Sequence, residues 1–210
     1  MKLINTLIAI LFISLLSSPS WSETIDDLVN RNRLFYLKFT DVPFTGQLTG
    51  KFQGLIKNGK IVGALIEYDK NGQLRSKRNF KNGKPDGVYL SYYENGRLDE
   101  ERNYKNGKKE GTSISYWENG NLLSKYSYRN DKREGASIMY WREGLLASEG
   151  SYKNGKKEGA WVDRFQNGQL KSKGSYKNDK REGTWAGYNE NGTVYAPWTG
   201  TFKDGVKISD

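Results

Sequence analysis

The sequence predicts an all-β fold: an elongated, single-layer, twisted antiparallel sheet built from repeated β-hairpins. The main evidence for this fold is a strict period of 24 residues, which separates successive glycines at Gly63, Gly87, Gly111, Gly135, Gly159 and Gly183. A period of this length is typical of repeat architectures rather than of a compact enzyme domain. No helical period of 3.6 residues appears after residue 40, so the repeats are expected to be β throughout.

Two turn signals divide each repeat into two strands. The first is Asn-Gly, with Glu-Gly replacing it in one repeat, and the second is Asn-Gly or Asn-Asp. Both Asn and Gly accept the positive φ that tight hairpin turns require. About ten residues separate consecutive turns, which suits two short strands per repeat. The first signal falls at Asn71, Asn95, Asn119, Glu143, Asn167 and Asn191, and the second at Asn82, Asn106, Asn130, Asn154 and Asn178.

The composition excludes several functional classes. The net charge is +10 and the mean hydropathy is −0.83, yet 13% of the residues are aromatic, and such large rings support burial and argue against disorder. The chain has no cysteine and no histidine, so disulfides, thiolate chemistry and histidine bases are excluded. The sequence also lacks a nucleophile elbow, a phosphate loop and calcium-loop spacing. We therefore expect no enzymatic activity, no cofactor and no metal.

The chain divides into three parts. Residues 1–22 have a basic start, an apolar run over residues 7–16 and small residues near the end, which predicts a secretory signal peptide and export to the periplasm, the envelope or the medium. A transmembrane anchor is the alternative, but the run is too short to span comfortably. Residues 23–58 form an expected N-terminal capping segment. Residues 59–210 form the repeat array with a divergent C-terminal cap, as stacked repeats need.

Four columns of side chains recur at fixed positions and are expected to hold the sheet together. A three-residue turn with a bulged glycine would gather all four on one face, and we favour this register. A two-residue turn would instead move the leucine column to the opposite face, and the sequence leaves both open. In the repeat from Gly111 the columns are represented by Ile114, Tyr116, Leu122 and Tyr128.

The opposite face of the first strand carries large aromatic side chains in a less regular pattern. Irregular exposed aromatic residues are typical of interaction surfaces, so they are candidates for binding a partner. The alternative is that they pack as a second thin core. These residues are Tyr89, Tyr93, Trp117, Trp141, Trp161, Phe165 and Trp185.

Basic residues concentrate at the second turn of each repeat and predict one long basic edge of the sheet. Such an edge suits an anionic partner, either an acidic protein or an envelope surface of lipid or polysaccharide. The alternative is that lysines merely guard the sheet against aggregation. Nucleic acid is not expected, because the chain is predicted to be exported and carries no recognition module for it. The candidate residues are Lys108, Lys109, Lys132, Arg133, Lys156 and Lys157.

The repeat unit Gly-x-x-x-x-Tyr-x-x-Asn-Gly-x-Leu, closed by Tyr-Lys-Asn-Gly-Lys-Lys-Glu-Gly, resembles the bacterial variant of the MORN repeat. From about residue 28 to residue 210, the chain resembles the YwqK family, which is described as the antitoxin component of a toxin–antitoxin module. This resemblance implies a non-enzymatic protein that holds a partner protein inactive. MORN repeats are also linked with membrane attachment and scaffolding.

Two functions are therefore expected from the sequence. The first is an exported protein-binding scaffold, with neutralisation of a toxin as its specific form; the predicted export would require that toxin to act in, or pass through, the envelope. The second is an envelope-surface module that binds anionic lipid or polysaccharide through the basic edge. The sequence leaves the identity of the partner and the oligomeric state open.

Overall fold

The computed structural model describes residues 22–210. The predicted signal peptide, except for Ser22, lies outside the described residues. Within residues 22–210, no helix has the length and apolar character needed to cross a bilayer.

β-strands and the turns that connect them make up most of the described chain. Two single 3-10 turns, Ile25–Asp27 and Ala196–Trp198, lie near the two ends. The strands are β1 Ser22–Thr24, β2 Leu28–Arg31, β3 Leu34–Leu37, β4 Gly46–Thr49, β5 Phe52–Lys57, β6 Lys60–Tyr68, β7 Leu74–Lys81, β8 Lys84–Tyr92, β9 Leu98–Lys105, β10 Lys108–Tyr116, β11 Leu122–Arg129, β12 Lys132–Tyr140, β13 Leu146–Lys153, β14 Lys156–Lys157, β15 Gly159–Arg164, β16 Leu170–Lys177, β17 Lys180–Gly187, β18 Gly200–Lys203 and β19 Val206–Ser209.

Seventeen strands form one open sheet, and β2 and β3 form a separate hairpin. From β4 to β19 the strands pair antiparallel with their sequence neighbours, and the short β13 to β15 section keeps this order. This architecture confirms the predicted all-β array of repeated hairpins. One pairing departs from it: β1 adds to the edge strand β4 in parallel, because the chain returns to that edge only after the β2–β3 hairpin.

The two kinds of turn differ as their sequences require. In the repeat from Gly111, the Trp117 carbonyl accepts from the Gly120 amide and the Trp117 amide donates to the Asn121 carbonyl. Gly120 has a φ of 94°, so this is a three-residue turn with a bulged glycine, as favoured from the sequence. The second turn has two residues; Asn106 and Gly107 both have positive φ, and Lys105 pairs with Lys108.

The prediction that all four columns share one face is wrong for the last column. Tyr116 lies opposite Leu122, but the next pair is Ser115 and Ser124, so a β-bulge inserts one extra residue. A one-residue shift moves every later side chain of that strand to the other face. Tyr128 therefore lies opposite Gly111, on the face that bears the tryptophans.

The two faces can now be named. The leucine face carries the columns of Ile114, Tyr116 and Leu122. The tryptophan face carries the irregular aromatic residues and the displaced tyrosine column, which comprises Tyr104, Tyr128, Tyr152 and Tyr176.

Within residues 22–210, the tryptophan face has a buried hydrophobic cluster at each end of the array and none in the middle. At the N-terminal end, Leu28, Phe44, Leu48 and Ile56 form a buried cluster. At the C-terminal end, Trp161, Trp185 and Phe202 form a second cluster, packed by Tyr152 and Tyr176. Between them the tryptophan positions are occupied by the small residues Ser113 and Ser137. We call this stretch, from β8 to β13, the open middle or open region, because neither hydrophobic cluster extends over it, although Ser113 and Ser137 themselves are buried, at 5% and 4% exposure.

Candidate partner-binding surface

Two of the aromatic residues expected to contact a partner belong to the core instead. Trp161 is 3% exposed and Trp185 is 1% exposed. The Trp161 ring packs edge-on against Tyr152 at 5.3 Å and Tyr176 at 5.9 Å between ring centroids. Its indole N–H donates to Ser148 Oγ at 3.1 Å, so the polar atom is satisfied as burial requires. The alternative reading of these two residues, a second thin core, is the one that the structure shows.

Three other predicted residues line the three-residue-turn edge and link successive repeats. Tyr93 Oη donates to the Tyr116 carbonyl at 2.6 Å. The indole N–H of Trp117 donates to the Tyr140 carbonyl at 3.2 Å, and that of Trp141 donates to the Arg164 carbonyl at 3.3 Å. Each side chain thus reaches the next repeat while part of its ring stays exposed.

Phe165 occupies the corresponding position in the following repeat. It has no donor for such a bond, and its ring lies 5.5 Å from the ammonium nitrogen of Lys171. Contacts of this kind between a cation and a ring are favourable within about 6 Å.

Tyr89 lies in the N-terminal part of the open region. Its ring centroid is 5.2 Å from the guanidinium carbon of Arg78 and 5.6 Å from that of Arg102. These residues and Tyr104 line a shallow cavity of about 200 Å³. Arg102 is also ion-paired with Glu100, and Arg78 with Glu67 at 3.7 Å, so both guanidinium groups already have an acidic partner.

The six predicted basic residues separate into two groups. Lys109, Arg133 and Lys157 lie on the tryptophan face, above aromatic rings, and are only partly exposed. Arg133 is 4.0 Å from the Tyr126 ring, and Lys157 is 4.2 Å from the Trp161 ring. The preceding residues in the chain, Lys108, Lys132 and Lys156, are exposed beside the two-residue turns and project from the opposite side, because neighbouring residues of a strand alternate. The single basic edge predicted from the sequence is therefore two distinct rows.

Arg133 contributes a positive charge to the tryptophan face that is kept over a wide pH range. Burial acts to lower the pKa of Arg133, but hydrogen bonding to Tyr128 and Tyr152 outweighs it and raises that pKa. Burial also raises the pKa of the Tyr126 phenol, and nearby Arg133 offsets only part of this effect. At neutral pH the Arg133 guanidinium is thus charged and the Tyr126 phenol is neutral.

An aromatic groove of this face lies where the open region meets the C-terminal cluster. Its volume is about 420 Å³, and its lining includes Trp117, Met139, Trp141, Asp163, Arg181 and Trp198. Clefts of this size, with mainly apolar walls and a few polar groups, are the usual form of ligand and side-chain pockets. Asp163 accepts from Ser148 and Ser172, which fixes the carboxylate in the wall of the groove.

Sequence reasoning missed several residues of this groove, among them Met139 and Trp198. Met139 is 37% exposed and replaces the Ser91 and Ser115 of earlier repeats, a deviation that could have been noticed. Trp198 comes from the 3-10 turn before β18 and lies 4.7 Å from the guanidinium carbon of Arg181. No sequence signal places that segment over the sheet.

The acidic residues of the two-residue turns accept hydrogen bonds from the backbone. The carboxylates of Glu110, Glu134 and Glu158 each accept from the backbone N–H of an asparagine in the next repeat, at 2.7 to 3.0 Å. Their recurrence thus has a structural cause. Within the described part of the chain, no cluster of three or more histidine, cysteine or acidic residues is placed to hold a metal.

The fold and these surfaces define the class of the protein: an open, non-closed β-repeat protein that presents two extended surfaces. Four segments, residues 61–82, 85–106, 109–130 and 157–178, match the family model of the MORN repeat variant. The chain therefore contains MORN repeats of the variant type. No curated protein matches the chain.

Proposed function

We propose that the chain, exported and freed of residues 1–22, binds a partner protein through the open middle of the tryptophan face. The observation that carries this proposal is the groove between Trp117, Met139 and Trp198, which an apolar side chain of a partner would fill. MORN repeats are often protein- or membrane-binding modules, which supports the same class of function.

The chemistry of the groove specifies the partner. Lys171 and Arg181 bring positive charge to it and lie over the Trp198 ring, at 5.7 and 4.7 Å. Neither forms an ion pair with another residue of the described chain. An acidic partner with an exposed aromatic or aliphatic residue would therefore meet complementary charge and a pocket of suitable size.

The specific form of this function is immunity-like neutralisation of a toxin. Its support is the resemblance to the YwqK family together with the export signal predicted over residues 1–22. Neutralisation would require that the toxin acts in, or passes through, the envelope. Deletion of the protein should then be harmful only when the partner is present.

The test is a pull-down from the envelope fraction with Met139→Asp. The new carboxylate would sit in the groove, where it opposes both an apolar side chain and an acidic surface, while the exposed position allows the chain to fold. Leu145→Asp is the matched control, because Leu145 is 45% exposed directly after a three-residue turn and is not part of the groove.

The proposal predicts that the wild-type chain and Leu145→Asp recover the same protein and that Met139→Asp does not. Equal recovery by all three would exclude the groove as the binding site. Recovery of no protein by any of them would contradict partner binding altogether.

A second candidate function rests on the exposed cations beside the two-residue turns. Lys108, Lys132 and Lys156 are each exposed, which suits binding of an anionic component of the envelope. Co-sedimentation with envelope material that is lost at high salt would support this function. Salt-insensitive or absent binding would exclude it.

A further inference from the structure

The two-residue-turn edge carries pairs of like charges directly opposite each other. Lys105 faces Lys108 across one turn, and Arg129 faces Lys132 across the next. The residues of these pairs form one row along the edge, and all of them are exposed. The six pairs are Lys57–Lys60, Lys81–Lys84, Lys105–Lys108, Arg129–Lys132, Lys153–Lys156 and Lys177–Lys180.

This arrangement is costly to the fold. Like charges directly opposite in an antiparallel pair destabilise a sheet. Lysine would guard the edge equally well if it were paired with a neutral residue. A cost that recurs at six successive turns indicates a role in binding rather than in folding.

The acidic residues of the same edge do not neutralise the row by ion pairing. Asp131 and Asp179 accept from the backbone N–H groups of Lys109 and Lys157, at 2.8 and 2.7 Å, and the glutamates of the edge are bound to asparagine amides as described above. None of the twelve cations takes part in an ion pair within residues 22–210. The row is thus available to an external anion.

From this geometry we infer that the row binds a linear polyanion that lies along the edge, an inference that rests on the second candidate function. Neighbouring pairs are two strands apart, so they are spaced by about 10 Å and the row is about 50 Å long. Strands in a twisted sheet rotate by about 20–25° each, so the row turns by roughly 220° from its first pair to its last.

The twist distinguishes a polymer from a bilayer. A flat membrane can touch only the few pairs that point the same way, whereas a flexible chain of anionic groups can follow the row around the sheet. A polyanion therefore meets all six pairs, and its affinity should depend steeply on salt because each contact releases counterions.

The test compares two probes, a fluorescently labelled linear polyphosphate and vesicles of equal parts phosphatidylglycerol and phosphatidylcholine. The variant is the triple change Lys84→Gln, Lys132→Gln and Lys180→Gln. The matched control is Lys77→Gln, Lys125→Gln and Lys173→Gln, because these lysines are exposed on the leucine face of the same repeats and give the same net charge. Circular dichroism checks that both variants fold.

The inference predicts that the wild type and the control bind polyphosphate alike. The edge variant should bind about tenfold more weakly at low salt, with a salt slope smaller by roughly one for each contact removed. Equal weakening in both variants would indicate net charge alone and would overturn the inference. Vesicle binding as strong as polyphosphate binding would overturn it while preserving the second candidate function, and binding of neither probe would exclude both.

Discussion

Gly150 provides the space that the indole of Trp161 occupies. A Cβ atom built on Gly150 would lie 1.9 Å from Cε3 of Trp161, far inside any van der Waals contact. Gly174 stands in the same relation to Trp185, with a distance of 2.2 Å to Cδ2. The C-terminal core of the tryptophan face thus depends on glycines in the strands beside each tryptophan.

Gly150→Ala should destabilise the protein by about 1–3 kcal/mol, the usual cost of overpacking. The methyl group would displace the Trp161 ring from its contacts with Tyr152 and Tyr176. Denaturant unfolding, with tryptophan fluorescence as the probe, measures the change.

The control is a double-mutant cycle with Trp161→Ser, which copies the residue found at this position in the two preceding repeats. With the ring removed, Gly150→Ala should cost almost nothing, and the coupling free energy should account for most of the single-mutant effect. An equal cost in both backgrounds would show that backbone conformation, not the indole, requires glycine at this position.

The same complementarity explains why Ser137 is small. It pairs with Tyr126 on one side and with Gly150 on the other, whereas Trp161 pairs with Gly174 and packs on Gly150. Ser137→Trp should therefore destabilise the fold by about 1–3 kcal/mol through overlap with the Tyr126 ring.

Adding Tyr126→Gly to Ser137→Trp should recover part of that loss, because a glycine would then lie beside the new tryptophan, as Gly150 lies beside Trp161. Thermal unfolding of the single and double variants gives the comparison. A double variant less stable than Ser137→Trp alone would disprove that a tryptophan at this position needs a glycine in the adjacent strand.

Much of the fold follows from short-range sequence signals. The 24-residue period and the two Asn-Gly signals per repeat predicted the hairpin array, since the turn conformations depend on local φ preferences at residues such as Asn106 and Gly120. The bulge at Leu123 was not predictable in the same way. It depends on how the chain leaves the three-residue turn, and it determines which face receives Tyr128.

The candidate site was predicted less well, because burial depends on residues in adjacent strands. Trp161 and Trp117 stand at different positions of the repeat but on the same predicted face of the first strand, yet one is buried over Gly150 and the other remains partly exposed at the edge. Lys108 and Lys109 were placed together, although alternation along β10 puts them on opposite sides. Trp198 approaches Arg181 only through the 3-10 turn at Ala196–Trp198, a tertiary contact without a local pattern.

The like-charged pairs should lower the free energy of unfolding by a measurable amount. Lys108→Gln removes the repulsion with Lys105 and should stabilise the protein by about 0.2–1 kcal/mol at low salt. The gain should shrink at high salt, because exposed charges are screened. Urea unfolding at two salt concentrations tests both statements.

Lys125→Gln provides the comparison for Lys108→Gln, since Lys125 faces Ile114 and Ile138 rather than another cation. We expect little change in its stability at either salt concentration. Similar stabilisation by the two substitutions would mean that general net charge, and not the cross-strand pair, is responsible.

Trp117 has two separable roles, a hydrogen bond to the next repeat and a wall of the groove. Trp117→Phe keeps an aromatic ring but loses the indole N–H that donates to the Tyr140 carbonyl. It should cost about 0.5–1.5 kcal/mol of unfolding free energy, the usual net value of one hydrogen bond, and should retain the partner. Trp117→Ala should cost more and should also lose the partner, because the groove is left without that wall.

Unfolding measurements and the envelope pull-down, performed on both variants, separate the two roles. If Trp117→Ala is folded and still recovers the partner, Trp117 acts only as a link between repeats.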